Sequence, residues 1–233
     1  VLFRSGNLEV KHSNPRNIYM STLDQADIDV MRATKTCVAA QRFQYDYLND
    51  DITDDGKIDY SLTNKVPQGL RDAMAAGKKI LVLINPPYAE AGNRKVIAAG
   101  GGMQKTNVAV KHLTYKKYLD KIGIAGRELF AQFIIRIYDE IPTAVLAQFS
   151  KLKIAQAPNF RDFRKTFRAK LGRNFIVPAD TFDNVKGKFP IGFFIWHLDD
   201  YDVFTETITD VYNRKGEFIG KKTLAPFDGM PSI

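Results

Sequence analysis

The stretch ILVLINPPY, residues 80–88, places five apolar residues directly before Asn85, two prolines and Tyr88. An unbroken apolar run of this kind is typical of a strand that is buried on both faces, as in the middle of a parallel sheet. Proline lacks a backbone N–H and fixes φ, so Pro86 and Pro87 end the strand in a stiff segment that is rich in hydrogen-bond acceptors. The stretch therefore predicts a central parallel strand over residues 80–84, followed by a rigid corner. We call residues 85–88 the proline corner.

The segments around this strand alternate between strand and helix patterns. Predicted strands cover 17–23, 42–48, 79–85, 143–150, 174–182 and 191–199, and a hairpin with its turn at Lys215–Gly216 covers 211–224. Predicted helices cover 25–34, 67–76, 126–141 and 159–172, and the Gly- and Lys-rich segment 89–124 is predicted to be a long functional loop. This alternation predicts an α/β fold with one twisted, mostly parallel sheet and helices on both faces.

Composition narrows the functional classes. The 34 Lys and Arg residues outnumber the 26 Asp and Glu residues, and the net charge of +8 favours a polyanionic partner. A single cysteine and three widely spaced histidines predict neither a disulfide framework nor a metal site. No apolar run approaches the ~20 residues of a membrane span, so we expect a cytoplasmic protein without a membrane partner. The opening VLFRSG and the closing APFDGMPSI are interpreted as cut ends of a longer protein.

The proline corner has the chemistry of an amine-binding site. Ligands of parallel α/β sheets bind beyond the carboxyl ends of the strands, where Asn85 Oδ1 and the Pro86 carbonyl offer two convergent acceptors. Tyr88 adds a flat face for a heterocycle. An aryl amine is a poor nucleophile, and two hydrogen bonds from its N–H groups would localise and aim its lone pair. The corner thus predicts a site for a planar exocyclic amine, activated by positioning alone.

The motif NPPY after an apolar strand resembles the catalytic motif of amino-methyltransferases that use S-adenosylmethionine. More narrowly, the chain resembles the adenine-N6 DNA methyltransferases of restriction-modification type. The resemblance implies a Rossmann-like methyltransferase fold, S-adenosylmethionine as cofactor and double-stranded DNA as partner, with the target adenine rotated out of the duplex. It assigns catalytic roles to Asn85, Pro86, Pro87 and Tyr88, and Tyr88 would also stack on the base.

Other stretches resemble further motifs of this family. FQYDYLND (43–50) resembles the motif for the cofactor adenine, in which Asp46 would accept a bond from the amine beside Tyr47. The family's acidic residue for the cofactor ribose falls by register on Thr22, with Asp24 two residues later, and Asp24 is equally suited to cap a helix.

Two stretches carry weaker resemblances. SGNLE (5–9) resembles the tail of the Gly-rich cofactor loop and contributes Gly6, although the preceding Asp-Pro-x-x-Gly part is absent. KGKFPIGFFIW (186–196) resembles the motif that supplies a second aromatic to the flipped base. This makes Phe189 a base-stacking candidate, with a plain core role as the alternative.

These features predict a catalytic domain over residues 1–198 and a C-terminal extension over 199–233 that begins a target-recognition region. A restriction nuclease or specificity subunit is the expected protein partner. Three alternatives remain open: methyl transfer to an RNA base, methyl transfer to a protein glutamine, and a noncatalytic DNA-binding subunit that keeps the fold. Lys105, Lys111, Lys116, Lys117 and Lys121 are preferred for nucleic-acid contact over the stripe Arg161, Arg164, Lys165 and Arg168, which is interpreted as a solvated helix face.

Overall fold

The computed structural model describes residues 17–36, 38–87, 108–182 and 189–227, which form a mixed α/β fold. The strands in chain order are β1 (Tyr19–Thr22), β2 (Gln41–Gln44), β3 (Leu81–Ile84), β4 (Val145–Lys151), β5 (Ala169–Pro178), β6 (Pro190–Tyr201), β7 (Thr207–Tyr212) and β8 (Phe218–Leu224). The helices are α1 (Gln25–Ala33), α2 (Gln68–Ala75), α3 (Leu113–Ile122), α4 (Leu129–Glu140), α5 (Lys153–Gln156) and α6 (Arg161–Thr166). Short 3-10 turns cover Val108–Lys111, Gly123–Arg127, Pro158–Phe160 and Ala179–Thr181.

The strands form two sheets. β1 and β2 pair in parallel, and the other six strands follow the order β3-β4-β6-β5-β7-β8. The pairs β3–β4 and β5–β7 are parallel, whereas β6 runs antiparallel to both β4 and β5, and β8 runs antiparallel to β7. The prediction of a single sheet is wrong for the described residues, whereas the predicted parallel pairing is confirmed for β1–β2 and β3–β4. The antiparallel pairing of β5 with β6 was not predicted. The length of the link between the two strands could have indicated it, because the link is too short for the crossover helix that a parallel pair needs.

β3 has one strand partner in the described part of the chain, so the prediction that residues 80–84 form a central strand is wrong there. It pairs with β4 on one side only. Leu81 is 56% exposed, on a strand whose apolar run predicted burial on both faces. The apolar run correctly predicted that these residues form a strand. It does not reveal how many strands pair with it, because pairing depends on segments that are distant in sequence.

The main core packs α4 against the six-stranded sheet. Phe130, Ile134 and Ile137 on α4 are fully buried with Leu146 of β4 and Phe194 of β6. The predicted helix 126–141 is confirmed, with its first residues in the 3-10 turn that precedes α4. This helix carries its apolar residues at the spacing that buries one face, and that face contributes to the same core as the strands.

Several predictions of secondary structure fail in part. The predicted strand 42–48 ends at Gln44, and the predicted strand 174–182 ends at Pro178. The predicted helix 159–172 ends at Thr166, and Ala169 already belongs to β5, where it pairs with β6. The phenylalanine spacing that predicted the helix describes only its beginning, where Phe160 and Phe163 are fully buried. Within the predicted loop 89–124, residues 113–122 form α3, whose buried residues Thr114, Tyr118 and Ile122 recur every fourth position.

The segment after residue 198 extends the main sheet. β6 continues to Tyr201, β7 pairs with β5, and Leu224 of β8 is fully buried in the main core. The predicted hairpin is confirmed, and Gly216 adopts φ 80° in its turn, a value that glycine tolerates best. A target-recognition role for this segment stays a prediction. No helix in the described residues is long and apolar enough to cross a membrane.

Candidate active site

A cavity of about 1530 Å³ lies between β1 and β3, and residues that follow β1, β2 and β3 are among those that line it. Most of its lining is apolar, with contributions from α2 and α4. The predicted site residues that line it are Asp24, Asp46, Tyr47, Asn85 and Pro87. The residues predicted to hold a cofactor and those predicted to hold an amine therefore share one cavity, although the strands that carry them are far apart in sequence.

The proline corner begins directly at the end of β3. Asn85 is half-buried, Pro86 is buried and Pro87 is exposed. Ile84, the last residue of β3, is buried in the main core and pairs with Gln148 of β4. This pairing fixes the position from which Asn85 enters the cavity. Tyr88 lies outside the described residues, so its stacking role stays a prediction.

The turn after β2 holds the Asp46 carboxylate in a defined position. We call residues 45–50 the Asp46 turn. Asp46 Oδ1 accepts a hydrogen bond from the Leu48 N–H at 3.0 Å, and Oδ2 accepts one from Asn49 Nδ2 at 2.7 Å. The Asp46 N–H in turn donates to Asp50 Oδ2 at 2.9 Å. A carboxylate has about four acceptor sites, so Asp46 retains the capacity to accept a ligand amine.

His112 joins this turn through Asn49, a connection that the sequence did not reveal. Asn49 Nδ2 lies 3.0 Å from His112 Nδ1, and Asn49 Oδ1 accepts the Leu113 N–H at 3.0 Å. Because the amide nitrogen can only donate, His112 Nδ1 is the acceptor and carries no proton. Burial lowers the pKa of His112, and the nearby Asp46 partly offsets that effect. The neutral imidazole therefore stabilises the folded turn.

We expect stability to fall on acidification in a way that depends on His112. Its pKa is lower in the folded state than in the unfolded chain, so its contribution is present above about pH 6.5 and is lost as the pH falls below it. Urea unfolding at pH 7.5, 6.5 and 5.5 measures the free energy of unfolding. The His112→Gln variant keeps an acceptor but cannot titrate, and it should lose less stability over this range. Equal losses in both proteins would show that His112 is not responsible.

The end of β1 offers two carboxylates. Asp24 is exposed, and its side chain does not cap α1, although it occupies the N-cap position. Asp27 also lines the cavity, and its Oδ2 accepts a hydrogen bond from Thr22 Oγ1 at 2.8 Å. Sequence reasoning missed Asp27, although it lies only five residues beyond the strand end. The role of Asp24 at a cofactor ribose stays a prediction.

Other predicted residues lie apart from the cavity or beyond the described residues. Phe189 is 37% exposed and is not among the cavity-lining residues, and its carbonyl accepts the Ala179 N–H at 2.9 Å. Gly6 lies outside the described residues. Tyr47 lines the cavity, but its ring stacks on Phe133 with centroids 5.6 Å apart. Burial raises the pKa of the Tyr47 hydroxyl well above its usual value, so Tyr47 acts as part of the cavity wall.

The basic side chains divide into engaged and available groups. In the stripe on α6, Arg164 donates to the carbonyls of Ile154 and Ala157, and Lys165 pairs with Asp162. Lys117 donates to the Gly56 carbonyl at 2.7 Å. By contrast, α3 and the turn before it expose three lysines, for which no ion pair occurs among the described residues: Lys111, Lys116 and Lys121. Lys105 lies outside the described residues.

The lining of the cavity has the character of a small-molecule site, with mostly apolar walls and a few polar groups. Among the described residues, no cluster of three or more His, Cys, Asp or Glu side chains could hold a metal. The spare acceptor capacity of Asp46 and the apolar walls match a flat heterocycle that carries an amine. The volume nevertheless exceeds the usual 300–1,000 Å³ of a small-molecule site. Part of the space therefore borders the edge of β3 that has no strand partner among the described residues, and a ligand of ordinary size would not fill it.

Comparisons with known proteins find likeness only at the level of solved structures. No protein-family model matches the sequence, and no curated protein matches it. A modification subunit of a putative type I restriction enzyme from Vibrio vulnificus YJ016 is 8% identical, with a TM-score of 0.49 over 85% of this chain and 37% of that chain. The M protein of the type I restriction enzyme EcoKI is 14% identical, with a TM-score of 0.43 over 84% of this chain and 35% of that chain.

A third similar structure is a nuclease-deletion mutant of the type ISP restriction-modification enzyme LlaGI in complex with a DNA substrate mimic. It is 12% identical, with a TM-score of 0.48 over 85% of this chain and 21% of that chain. The chain thus spans well under half of the length of each of these three structures.

Proposed function

We propose that this chain carries the catalytic site of an S-adenosylmethionine-dependent methyltransferase with a Rossmann-like fold. Its substrate is the N6 amine of an adenine rotated out of double-stranded DNA, in a restriction-modification or phage-defence system with a nuclease or specificity subunit as partner. The observation that carries the proposal is the shared cavity, in which Asn85 at the end of β3 and Asp46 after β2 line the same space. A ligand held at Asp46 lies in the same cavity as an amine held at Asn85.

The proline corner acts on the target amine. The two N–H groups of the adenine amine donate to Asn85 Oδ1 and to the Pro86 carbonyl, which draws the nitrogen lone pair out of the ring and points it into the cavity. S-adenosylmethionine, when bound, supplies an electrophilic methyl group. As the new N–C bond formed, the bond between the methyl carbon and the cofactor sulfur would break and leave its electron pair on sulfur, and the two acceptor dipoles would stabilise the positive charge that develops on the nitrogen. The extra proton then leaves to water, which restores a neutral methylated amine.

The strand ends opposite the corner hold the cofactor. Asp46 accepts a hydrogen bond from the cofactor's adenine amine, and its own bonds to Leu48 and Asn49 keep the carboxylate in place. Asp24 or Asp27 accepts from the ribose hydroxyls, since both line the cavity near the end of β1. Tyr47 forms the wall beside the adenine.

A noncatalytic DNA-binding subunit is the second candidate, and a specific observation favours it. β3 lacks a strand partner on its side away from β4 in the described residues, and the cavity is larger than a cofactor requires. Such a protein would keep the fold and bind DNA without transferring a methyl group. RNA and protein glutamine remain alternative methyl acceptors because the same corner chemistry serves their amines and amides.

Transfer of tritiated methyl groups tests the proposed reaction. The protein as its gene encodes it is incubated with labelled S-adenosylmethionine and, separately, with duplex DNA, RNA and a glutamine-containing protein. We expect label in DNA, recovered as N6-methyladenine after hydrolysis. Label in RNA or in glutamine would replace the proposed substrate. DNA binding without label in any acceptor would favour the noncatalytic subunit.

DNA affinity should fall steeply as salt is raised. If Lys111, Lys116 and Lys121 each neutralise one phosphate, the log–log slope is about −2.7 and affinity drops about 40-fold between 50 and 200 mM salt. Fluorescence anisotropy with a labelled duplex measures this slope. The triple replacement of these lysines by glutamine should flatten it, while the same replacement of Lys57, Lys170 and Lys221, which pair with aspartates, serves as the control. A salt-independent affinity would remove the electrostatic case for a nucleic-acid substrate.

A further inference from the structure

Arg136 is fully buried in the middle of α4, a helix whose residues Phe133, Ile137 and Glu140 line the cavity. Removing a guanidinium from water is costly unless hydrogen bonds and an opposite charge compensate. Its only carboxylate partner among the described residues is Glu140, one turn further along α4, which accepts from Arg136 Nε. Tyr60 donates to the other Glu140 oxygen at 2.7 Å. One side of the guanidinium is therefore neutralised within its own helix.

The other side of the guanidinium is directed entirely at the Asp46 turn. Arg136 Nη1 donates to the Tyr47 carbonyl at 2.5 Å, and Nη2 donates to the Asp50 carbonyl at 2.9 Å. Nη2 also donates to the Tyr45 hydroxyl at 3.1 Å. The guanidinium lies over the Tyr47 ring, 4.6 Å from its centroid. Three residues of one short turn thus depend on a single side chain that is about 90 positions away in sequence.

These contacts surround Asp46 without touching it. The carbonyls of Tyr47 and Asp50 and the hydroxyl of Tyr45 belong to the same turn as Asp46, which lines the cavity. A planar guanidinium supplies donors in fixed directions, which a lysine ammonium cannot reproduce. Loss of Arg136 would therefore remove the guanidinium's bonds to the Tyr47 and Asp50 carbonyls and to the Tyr45 hydroxyl while leaving the strands that form the sheet intact.

We propose that Arg136 is a positioning residue that sets the orientation of the Asp46 carboxylate for the amine of a bound adenosine. The inference rests on the proposed function for the identity of the ligand, but the geometric part is independent of it. Arg136 reaches no ligand itself. It acts by fixing the backbone of the Asp46 turn against α4, so that Asp46 presents its remaining acceptor sites before the ligand arrives.

The test measures separately how Arg136 affects the backbone of the Asp46 turn and how it affects cofactor binding. Arg136→Lys keeps the charge that pairs with Glu140 but loses the directed bonds to the turn. Amide hydrogen exchange on residues 1–233 should accelerate at least tenfold at residues 46–50, while exchange in β4 and β6 stays unchanged. In the protein as its gene encodes it, the KM for S-adenosylmethionine should rise about tenfold with little change in kcat.

Two further variants guard against a general loss of stability. Tyr60→Phe removes a bond to Glu140 but no bond to the turn, so exchange at residues 46–50 should stay as in the parent protein. Tyr45→Phe removes one of the three bonds from Arg136 to the turn, together with the long bond from the Tyr45 hydroxyl to the Asp50 carbonyl at 3.4 Å, and should accelerate exchange there by a smaller factor. If Arg136→Lys accelerates exchange uniformly across the sheet, or if Tyr60→Phe loosens the turn equally, Arg136 is merely structural and the proposal is overturned. Faster exchange at the turn with an unchanged KM would uphold the positioning of the turn and overturn the role of Asp46 in binding adenosine.

Discussion

Replacing Asn85 by alanine is expected to lower the kcat of methyl transfer about 10²–10³-fold while leaving cofactor binding nearly intact. The Asn85 oxygen is one of two acceptors that aim the lone pair of the target amine and stabilise the charge that develops on it. Loss of one preorganised partner of a developing charge typically costs about 10²–10³ in kcat. Because Asn85 sits at the end of β3 and the predicted adenine-binding turn follows β2, the variant should leave the cofactor's contacts in place.

The matched experiment uses Asp46→Ala, which should show the reverse pattern. The lost charge-assisted bond to the cofactor costs roughly 1.5–3 kcal/mol, so cofactor affinity should fall first and transfer at saturating cofactor should persist. Both variants are measured by calorimetry for cofactor affinity and by labelled methyl transfer for kcat, in the protein as its gene encodes it. Equal losses of cofactor affinity in the two variants would contradict the assigned roles.

The Asn85→Asp variant sharpens the interpretation of the first experiment. Aspartate keeps an acceptor oxygen where asparagine has one, so partial transfer should return relative to alanine. Leucine, which has a similar shape but no acceptor, should be as inactive as alanine. If aspartate and leucine were equally inactive, the amide would have another role, such as holding the proline corner in its conformation.

The parts of the fold that were predicted correctly are those encoded locally. The apolar run over residues 80–84 and the amphipathic pattern over 126–141 each specify an element without reference to distant residues. The helix predicted over 159–172 failed because its phenylalanine spacing fits only the first turns, and Ala169 onward is taken into the sheet by pairing with β6. Local patterns cannot anticipate such a pairing, since the energy of strand pairing comes from the neighbouring strand.

The same distinction applies to the candidate site. Asp24, Asp46 and Asn85 could be proposed from sequence because each ends or follows a predicted parallel strand, and such ends converge on one edge of a sheet. Asp27, His112 and Arg136 could not, because their importance appears only in contacts with the turn or strand end they support. Arg136 in particular is an ordinary helix residue in sequence, and only the fold brings it to the Tyr47 carbonyl.

Residues 1–233 alone are expected to bind S-adenosylmethionine weakly, with a Kd above about 100 µM. Micromolar affinity requires about 8.2 kcal/mol, whereas the bond that Asp46 offers to the adenine amine contributes roughly 1.5–3 kcal/mol. The remaining affinity must come from the ribose and the methionine end. For the ribose, register places Thr22 where the resembled family has an acid, and the described Thr22 hydroxyl is already engaged with Asp27.

The methionine end of S-adenosylmethionine has the fewest candidate contacts in this chain. SGNLE (5–9) is the only stretch that resembles the Gly-rich loop, and in the described residues the side of β3 away from β4 faces a cavity instead of a strand. A cofactor held only at its adenine end loses rotational and translational freedom without gaining enough contacts to offset that loss. Calorimetry of residues 1–233 with S-adenosylmethionine measures the affinity, with adenosine as the matched ligand that lacks the methionine end. We expect the two ligands to bind within a few-fold of each other. Micromolar binding of the cofactor with much weaker binding of adenosine would show that this chain holds the methionine end after all.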